Sequence, residues 1–559
     1  MPKVLVIGDD VRSFLAVVRA LGRIGAEVHA APFDFTSPAL ASSYIHALHR
    51  LPPYGMGAQA WCEALCALVD AEGLELIIPC DDRSVLPLDK FRTQIPTRLA
   101  LPNTHAVCVF FDKSDTRALA EACGVPVANG GPVDIDTATR LGFPLALKPR
   151  ASLTLDSLDQ RAAVRIIPDA ATLDVALHDL DPADEYFLEA FFAGEGVGVS
   201  VLAEHGEIRA AFQHRRLAET SQTGGSARRV GEVIDQKLFG DVARMVAATR
   251  LHGVAMFEFR QNPQTHTHVL LEVNCRFWGS LPLAIASGVD FPALLFHMLM
   301  DEPGGAAPEL TPGIQRTHLS GEYYRRRAWC DGASSRLGIV MRAAAALPPL
   351  FMRALFNPQQ FDSYARDDMM PWRYERRTII QGLAMAVRKR LPVNAAALAK
   401  ATKLHVQSLL RAAPPTPHLL FVCYGNICRS PFAEVRARDV LGARAHCTSA
   451  GTLPWPGRRS PDDALQVAAE FNVDLYPHRS AYCDDARAAA ADIIFIFDDH
   501  NAEQLAQMGI DSAKIVRLGG LIGAREIADP YGLGARAFQH CYIDIAKAID
   551  TLSALLEPR

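Results

Sequence analysis

Short aliphatic runs and stretches of helical periodicity alternate through the first hundred residues. Residues 3–8 form a β-branched run, 11–24 carry apolar side chains at helical spacing up to Gly25, and 28–31 and 74–79 read as further strands, the last running into Asp81-Asp82. This alternation predicts an α/β lobe on a parallel sheet. No Gly-x-Gly-x-x-Gly follows the first strand, which argues against a dinucleotide site. Downstream, 186–190 reads as a strand entering a turn at Gly194, and 224–229 as a flexible basic stretch. Residues 253–259 and 270–274 read as two strands joined by a turn at 263–266. Residues 337–356 and 378–410 have helical character, with Arg and Lys set between apolar positions. The Pro-rich segment 412–417 makes a short semi-rigid linker. After it, 419–422 is a short buried strand, and Pro431 fits the first turn of the next helix.

The chain has 559 residues, enough for about three or four domains. Its hydrophobic content of 49% and charged content of 21% are ordinary for a soluble globular protein, and a formal net charge of −5 gives no overall drive toward nucleic acid. The 12 cysteines contain no Cys-x-x-Cys pair and no zinc-like spacing, which fits a reducing compartment. The N-terminal apolar run is too short and too soon acidic for a signal peptide, and no apolar stretch reaches membrane-spanning length. A cytoplasmic location is expected.

Chemistry is densest near the C-terminus. Cys423-Tyr-Gly-Asn426-Ile-Cys428-Arg429-Ser430-Pro431 follows a strand and opens a helix, and Asp529-Pro530-Tyr531 comes about a hundred residues later. A strand-loop-helix unit aims backbone N–H groups and a helix N-terminus at one spot, where a phosphate is held and a cysteine is shifted toward its thiolate. Arg429 can clamp two phosphoryl oxygens, Ser430 can hydrogen-bond the sulfur as it leaves, and Asp529 can serve as general acid and then base. Alone, Cys-x5-Arg is a weak signal. With Ser449-Ala-Gly451-Thr452, Asp498-x-x-Asn501 and Asp529-Pro530-Tyr531 in order, residues 418–555 closely resemble the low-molecular-weight protein tyrosine phosphatases. The resemblance implies a Rossmann-like domain with a four-stranded parallel sheet and a cofactor-free cysteinyl-phosphate mechanism. Asn426 would hold the loop in shape, and Cys428 would form a reversible disulfide with Cys423.

The first three hundred residues carry a magnesium–nucleotide inventory: Lys113, Lys148, Glu189, Glu195, Glu258, Glu272, Asn274 and Arg276. Two carboxylates and a carboxamide on adjacent strands offer hard oxygen ligands, while the lysines and the arginine counter polyphosphate charge. In order and local context, residues 1–300 resemble the ATP-grasp ligases, nearest to carboxylate–amine ligases carrying Glu-x-Asn-x-Arg-Phe-Trp-Gly-Ser. The resemblance implies that Lys113 and Lys148 touch ATP phosphates, with Glu189 near the adenine and Glu195 on the ribose. Glu258, Glu272 and Asn274 would hold Mg²⁺, and Arg276 would sit beside the transferred phosphoryl group. It also implies a carboxylate activated as an acyl phosphate and captured by an amine or thiol. The chain departs from the family at 151–161, which has no glycine where a glycine-rich loop usually folds over the phosphates. His214 reads first as an exposed strand-end histidine and second as a residue lining a substrate cleft, and Asp81-Asp82 equally as a solvated turn or a group facing substrate.

Between these modules, 325–411 holds sixteen Lys and Arg against five Asp and Glu, a net +11 in an acidic chain. A helical bridge pairing with the acidic surface of the grasp domain is the first expectation, and peripheral contact with anionic lipid, or with a polyanionic substrate, the second. The expected organisation is an α/β lobe at 1–110, a grasp domain at 111–302, a basic helical connector at 303–411, a linker at 412–417 and a phosphatase at 418–559. The expected protein is bifunctional. Its phosphatase would act on phosphotyrosine in protein or a small phosphorylated substrate, and its ATP- and Mg²⁺-dependent ligase on a carboxylate and an amine or thiol. Two alternatives stand beside it: a grasp domain that senses ATP and regulates the phosphatase, and arsenate reduction at the C-terminal loop.

Overall fold

The computed structural model describes residues 1–556 except 157, 159, 160, 179, 181–184, 222, 223, 303–309, 332–335, 391–393, 454 and 455. Contacts divide the chain into two compact units, Met1–Gln381 and Gly382–Arg559. Among the described residues no helix is long and apolar enough to cross a membrane.

The first unit opens on the parallel sheet that the periodicity predicts. Its strands lie in the order Ile45–Leu48, Glu27–Ala31, Lys3–Ile7, Leu76–Pro79, Arg98–Leu99. Alternate side chains of Lys3–Ile7 serve two cores: Val4 and Val6 pack with Phe14 and Val18 of the helix Ser13–Arg23, while Leu5 and Ile7 pack with Trp61 and Leu65 of Ala58–Glu72. Next comes a small antiparallel sheet of Gly130–Gly131, Tyr186–Ala190, Leu145–Pro149 and Arg165–Ile167. Opposite it stands a larger antiparallel sheet, ordered His268–Asn274, Gly253–Gln261, Glu195–Glu204, Glu207–Ser221, Gly224–Glu232, Gln315–Thr317. The expected turn at 263–266 joins Gly253–Gln261 to His268–Asn274. The stretch read as flexible, 224–229, is instead strand: it pairs with Glu207–Ser221 on one side and with Gln315–Thr317 on the other, and that double pairing outweighs its glycines.

The connector packs by a logic opposite to the expected one. Its acids reach into the rest of the unit. Asp368 accepts from Arg19 at 2.9 Å and from Ser42 at 2.7 Å, Asp367 binds Arg23 and the Tyr44 hydroxyl, and Asp362 pairs with Arg229. Arg229 is wholly buried, and burial pulls its guanidinium below its ordinary pKa despite Asp362. Removing one member of such a pair strands a buried charge, at a cost of about 3–5 kcal/mol. Segment 361–375 thereby ties the N-terminal lobe to the large sheet.

In the second unit, four parallel strands are ordered His446–Gly451, His418–Cys423, Ile493–Ile496, Ile515–Arg517. The helices Arg429–Leu441 and Ala535–Leu555 bury Phe432, Tyr542 and Ile545 beside Phe421 and Phe495 of the sheet. The helix Ala395–Ala412, on the N-terminal side of the Pro-rich linker, also belongs to this unit. Its Val406 enters the same core, and Thr402 stands so close to Gly520 that a Cβ there would meet its Oγ1 at 2.5 Å.

Candidate active sites

Between the two antiparallel sheets of the first unit lies a cleft of about 440 Å³, within the size range of small-ligand sites. Strand registry explains who faces it. Ala146 stands opposite Glu189, so Lys148, two residues on, shares its face, and the Lys148 ammonium pairs with Glu189. Arg117 reaches the same carboxylate at 3.0 Å. Across the cleft, Glu258 stands directly opposite Glu272, and Met256 opposite Asn274. Burial, together with Glu272, pushes the Glu258 carboxyl above its ordinary range, although Arg216 bonds it. Burial also works against Glu272, but Lys113, Asn274 and Arg161 outweigh it and hold that carboxyl low. The result is two like charges facing each other across one ladder, with an amide oxygen alongside. That hard-oxygen donor set fits Mg²⁺.

Lys113 opens a helix and donates to Ser152 Oγ at 2.5 Å, while burial lowers its pKa. Arg276 is bound by Asp82 at 2.6 Å, which keeps it protonated against its burial. Asp82 is thus a partner of the site rather than a solvated turn. The glycine-free stretch 151–161 borders the cleft through Ser152 and Arg161, with Ser157, Asp159 and Gln160 outside the described residues. Of the eight grasp residues singled out from sequence, seven line the cleft; Glu195 does not, and instead pairs with Arg215 at 3.1 Å. His214, read as exposed, is buried in mid-strand with its ring over Gly198, and burial drives its pKa well down. His214 lines the cleft, as do Arg216 and Arg12, which were not selected from sequence; no motif surrounds those two arginines, and only the pleat of the large sheet or the start of the first helix aims them inward.

The second site is built at the C-terminal end of His418–Cys423. Cys423 Sγ accepts from the Asn426 backbone N–H at 3.2 Å and lies 3.1 Å from Ser430 Oγ. Asn426 adopts a left-handed conformation, φ 50°, that few non-glycine residues take. Its buried side chain supports it: Nδ2 donates to Ser430 Oγ at 2.8 Å and to Ser449 Oγ at 2.9 Å, and Oδ1 accepts from Ala481 N at 2.7 Å. Ser449 Oγ in turn donates to Glu434 at 2.6 Å. Gly451 lets the loop come close, since a Cβ there would stand 2.7 Å from Tyr424 O.

Arg429 is almost fully buried over the Phe497 ring, donating to Asp498 at 2.5 Å and to Asp529 at 2.6 Å. Although burial disfavours its charge, the surrounding anionic groups raise its pKa. Asp529 is partly exposed at the mouth of this site. Asp498, quoted within a motif but given no role, both caps the helix Asp499–Gln507 and holds Arg429. Cys423 and Cys428 are free thiols, and burial beside Cys423 pushes the Cys428 thiol strongly up.

The family profile described as low molecular weight phosphotyrosine protein phosphatase matches residues 418–558, and that described as ATP-grasp in the biosynthetic pathway with Ter operon matches 183–322. Low molecular weight protein-tyrosine phosphatase A of Mycobacterium tuberculosis (strain ATCC 25618 / H37Rv) is 32% identical over 155 residues, covering 25% of this chain and 93% of that protein. The probable low molecular weight protein-tyrosine-phosphatase EpsP of Ralstonia nicotianae is 29% identical over 133 residues, covering 24% and 90%. A solved L-amino acid ligase from Bacillus licheniformis aligns with a TM-score of 0.45 at 16% identity, covering 57% of this chain and 80% of that one. Through residues 418–558 the chain belongs to the low molecular weight phosphotyrosine protein phosphatase family, and there it is fused to an ATP-grasp module.

Proposed function

We propose that the C-terminal unit hydrolyses aryl phosphate monoesters, phosphotyrosine in protein first among them, through a phosphocysteine on Cys423. The observation that carries this is the convergence on Cys423 Sγ of the Asn426 N–H and the Ser430 hydroxyl, with a buried Arg429 bridging to Asp529. The arriving phosphoryl group takes the place of Asp529 on Arg429, which frees the carboxyl for the leaving oxygen. The thiolate attacks phosphorus, the P–O ester bond breaks, and Asp529 gives its proton to the departing phenoxide. In the second step Asp529 takes a proton from water, whose oxygen attacks phosphorus. The P–S bond breaks, the electron pair returns to sulfur, and Ser430 O–H stabilises it. Asn426 positions the loop.

For arsenate reduction, a further pair of reactive thiols would be needed to resolve the adduct. Burial pushes Cys447 up to about 11 and Cys483 up to about 12, which suits neither for that task.

For the first unit the proposed activity is ATP-dependent ligation of a carboxylate to an amine or thiol. Glu258, Glu272 and Asn274 would hold Mg²⁺, which when bound neutralises phosphate charge. Lys113 and Lys148 would orient the phosphates and Arg276 the transferred group, while Glu189 would face the base. Glu195 is left out of this proposed set because its carboxylate pairs with Arg215. A second reading, an ATP sensor, is favoured by the glycine-free stretch 151–161.

The test is hydrolysis of an aryl phosphate by wild type, Cys423→Ser and Asp529→Asn, with and without Mg·ATP, alongside ADP release against a panel of carboxylates and amines. Activity abolished in Cys423→Ser and reduced in Asp529→Asn supports the phosphatase mechanism; equal activity in all three refutes it. ADP release that rises with an acceptor supports ligation, whereas ATP binding without turnover favours the sensor.

A further inference from the structure

The helix Arg336–Phe356 exposes an apolar stripe among its described side chains, from Met341 to Phe356. Met341, Ala345, Pro348, Met352, Leu355 and Phe356 recur at helical spacing and all are exposed, Met341 by 64% and Phe356 by 65%. The preceding helix, Leu319–Asp331, adds Tyr324 and Trp329, and Arg342 fastens the two by donating to Trp329 O at 2.9 Å and lying 4.9 Å over the Trp329 ring. An exposed apolar stripe about 22 Å long is a surface that something covers.

Charge indicates what. Every acidic side chain described in 319–381 has a partner: Asp362, Asp367 and Asp368 pair with Arg229, Arg23 and Arg19 of the rest of the unit, the buried Glu322 pairs with Arg325 and Arg326 of its own helix, and the buried Glu375 accepts from the Ser320 and Ser363 hydroxyls. Arg366, Arg373 and Arg377 are exposed. On the helix Met370–Arg390 the exposed positions among the described side chains are Met370, Arg373, Tyr374, Arg377, Thr378, Ile380 and Gln381, with no acid among them.

We propose that this helical segment lies on an anionic lipid surface, its apolar stripe among the acyl chains and its arginines at the head groups. Three features select this occupant. The stripe has no hydrogen-bonding side chain, whereas a protein interface carries about one hydrogen bond per 100–200 Å². A second copy seated on the same segment would bring its exposed Arg373 and Arg377 against an equally cationic surface, and like charges oppose that. Tyr and Trp beside an apolar stripe match the composition of the membrane–water boundary, and no described helix is built to span it, so the segment lies on the surface.

The experiment is co-sedimentation of the full chain with vesicles of phosphatidylcholine alone and of phosphatidylcholine with phosphatidylglycerol, at low and high salt. Two double variants accompany wild type: Leu355→Asp with Phe356→Asp, and Arg373→Glu with Arg377→Glu. All four positions are exposed and outside both sites, and circular dichroism and thermal melting check folding. Wild type is expected to bind only the anionic vesicles and to be released by salt. Loss of the two arginines is expected to weaken partitioning roughly thirtyfold or more, and the aspartates to abolish it. Absence of wild-type binding to anionic vesicles at low salt overturns the proposal, as does binding that folded forms of both variants retain. Sedimentation velocity gives another route to refutation: a wild-type dimer that the aspartate variant dissolves, without vesicle binding, assigns the stripe to a second copy. Binding to an acidic polypeptide in place of vesicles assigns it to a protein.

Discussion

Asn426 carries the shape of the phosphatase loop, and its replacement tests that directly. Its side chain makes three buried hydrogen bonds, to Ser430, Ser449 and Ala481 N, while its backbone sits at φ 50°. Asn426→Ala removes all three bonds, at about 1–1.5 kcal/mol each, and leaves their partners buried. Alanine in the left-handed region adds about 1 kcal/mol. The expected loss is about 4–6 kcal/mol, a large share of the 5–15 kcal/mol typical of a domain. Asn426→Gly removes the same bonds but relieves the backbone, so the two variants should differ by about 1 kcal/mol. Because the Asn426 N–H is aimed at Cys423 Sγ, a loop displaced by an ångström should lower kcat by about 100-fold in both. Stability of the second unit is read from labelling of its buried cysteines across a urea gradient, and activity from aryl phosphate hydrolysis. A glycine variant with wild-type kcat and wild-type urea midpoint would refute the reasoning, because the loop would then hold its shape without the asparagine side chain.

Four further outcomes are expected. Gly451→Ala should destabilise the second unit by about 1–3 kcal/mol and depress phosphatase activity, because its Cβ meets the backbone at Tyr424 and Asn426; a thermal melt and a rate measurement suffice. Glu272→Gln should weaken Mg·ATP binding, measured calorimetrically, while aryl phosphate hydrolysis by the other unit is unchanged. Asp362→Ala should lower the stability of the first unit by about 3–5 kcal/mol by stranding Arg229, a loss that Arg229→Met in the same chain should partly restore in urea melts. His214 stays neutral in the fold but protonates once unfolded, so the unfolded chain binds more protons below about pH 6.5 and stability falls as pH drops through that value. His214→Asn should flatten the dependence of the urea midpoint between pH 7.5 and 5.5.

Both clusters of candidate site residues were legible because their members are local in sequence. Cys423, Asn426, Arg429 and Ser430 lie within eight consecutive residues, and a strand-loop-helix turn brings such neighbours together without help from the rest of the fold. Glu272, Asn274 and Arg276 alternate along one extended stretch, so their common face follows from the pleat alone. Strand and helix periodicity likewise placed the N-terminal parallel sheet and the hairpin around 263–266.

Pairing across long separations was decided by tertiary structure. Asp498 and Asp529 meet Arg429 from 69 and 100 residues away, and Asp82 meets Arg276 across 194. Composition registered the connector as basic, yet could not show that its few acids face inward onto Arg19, Arg23 and Arg229. The stretch 224–229 looked flexible because glycine weakens a strand taken singly, and a partner on each side reverses that. His214 looked exposed beside Gln213 and Arg215, although alternation along the strand turns it inward while its neighbour Arg215 pairs outside the cleft. Local sequence sets which conformations and which chemistry are available. Burial and ion pairing depend on which distant segment arrives opposite, and that is a property of the packed chain.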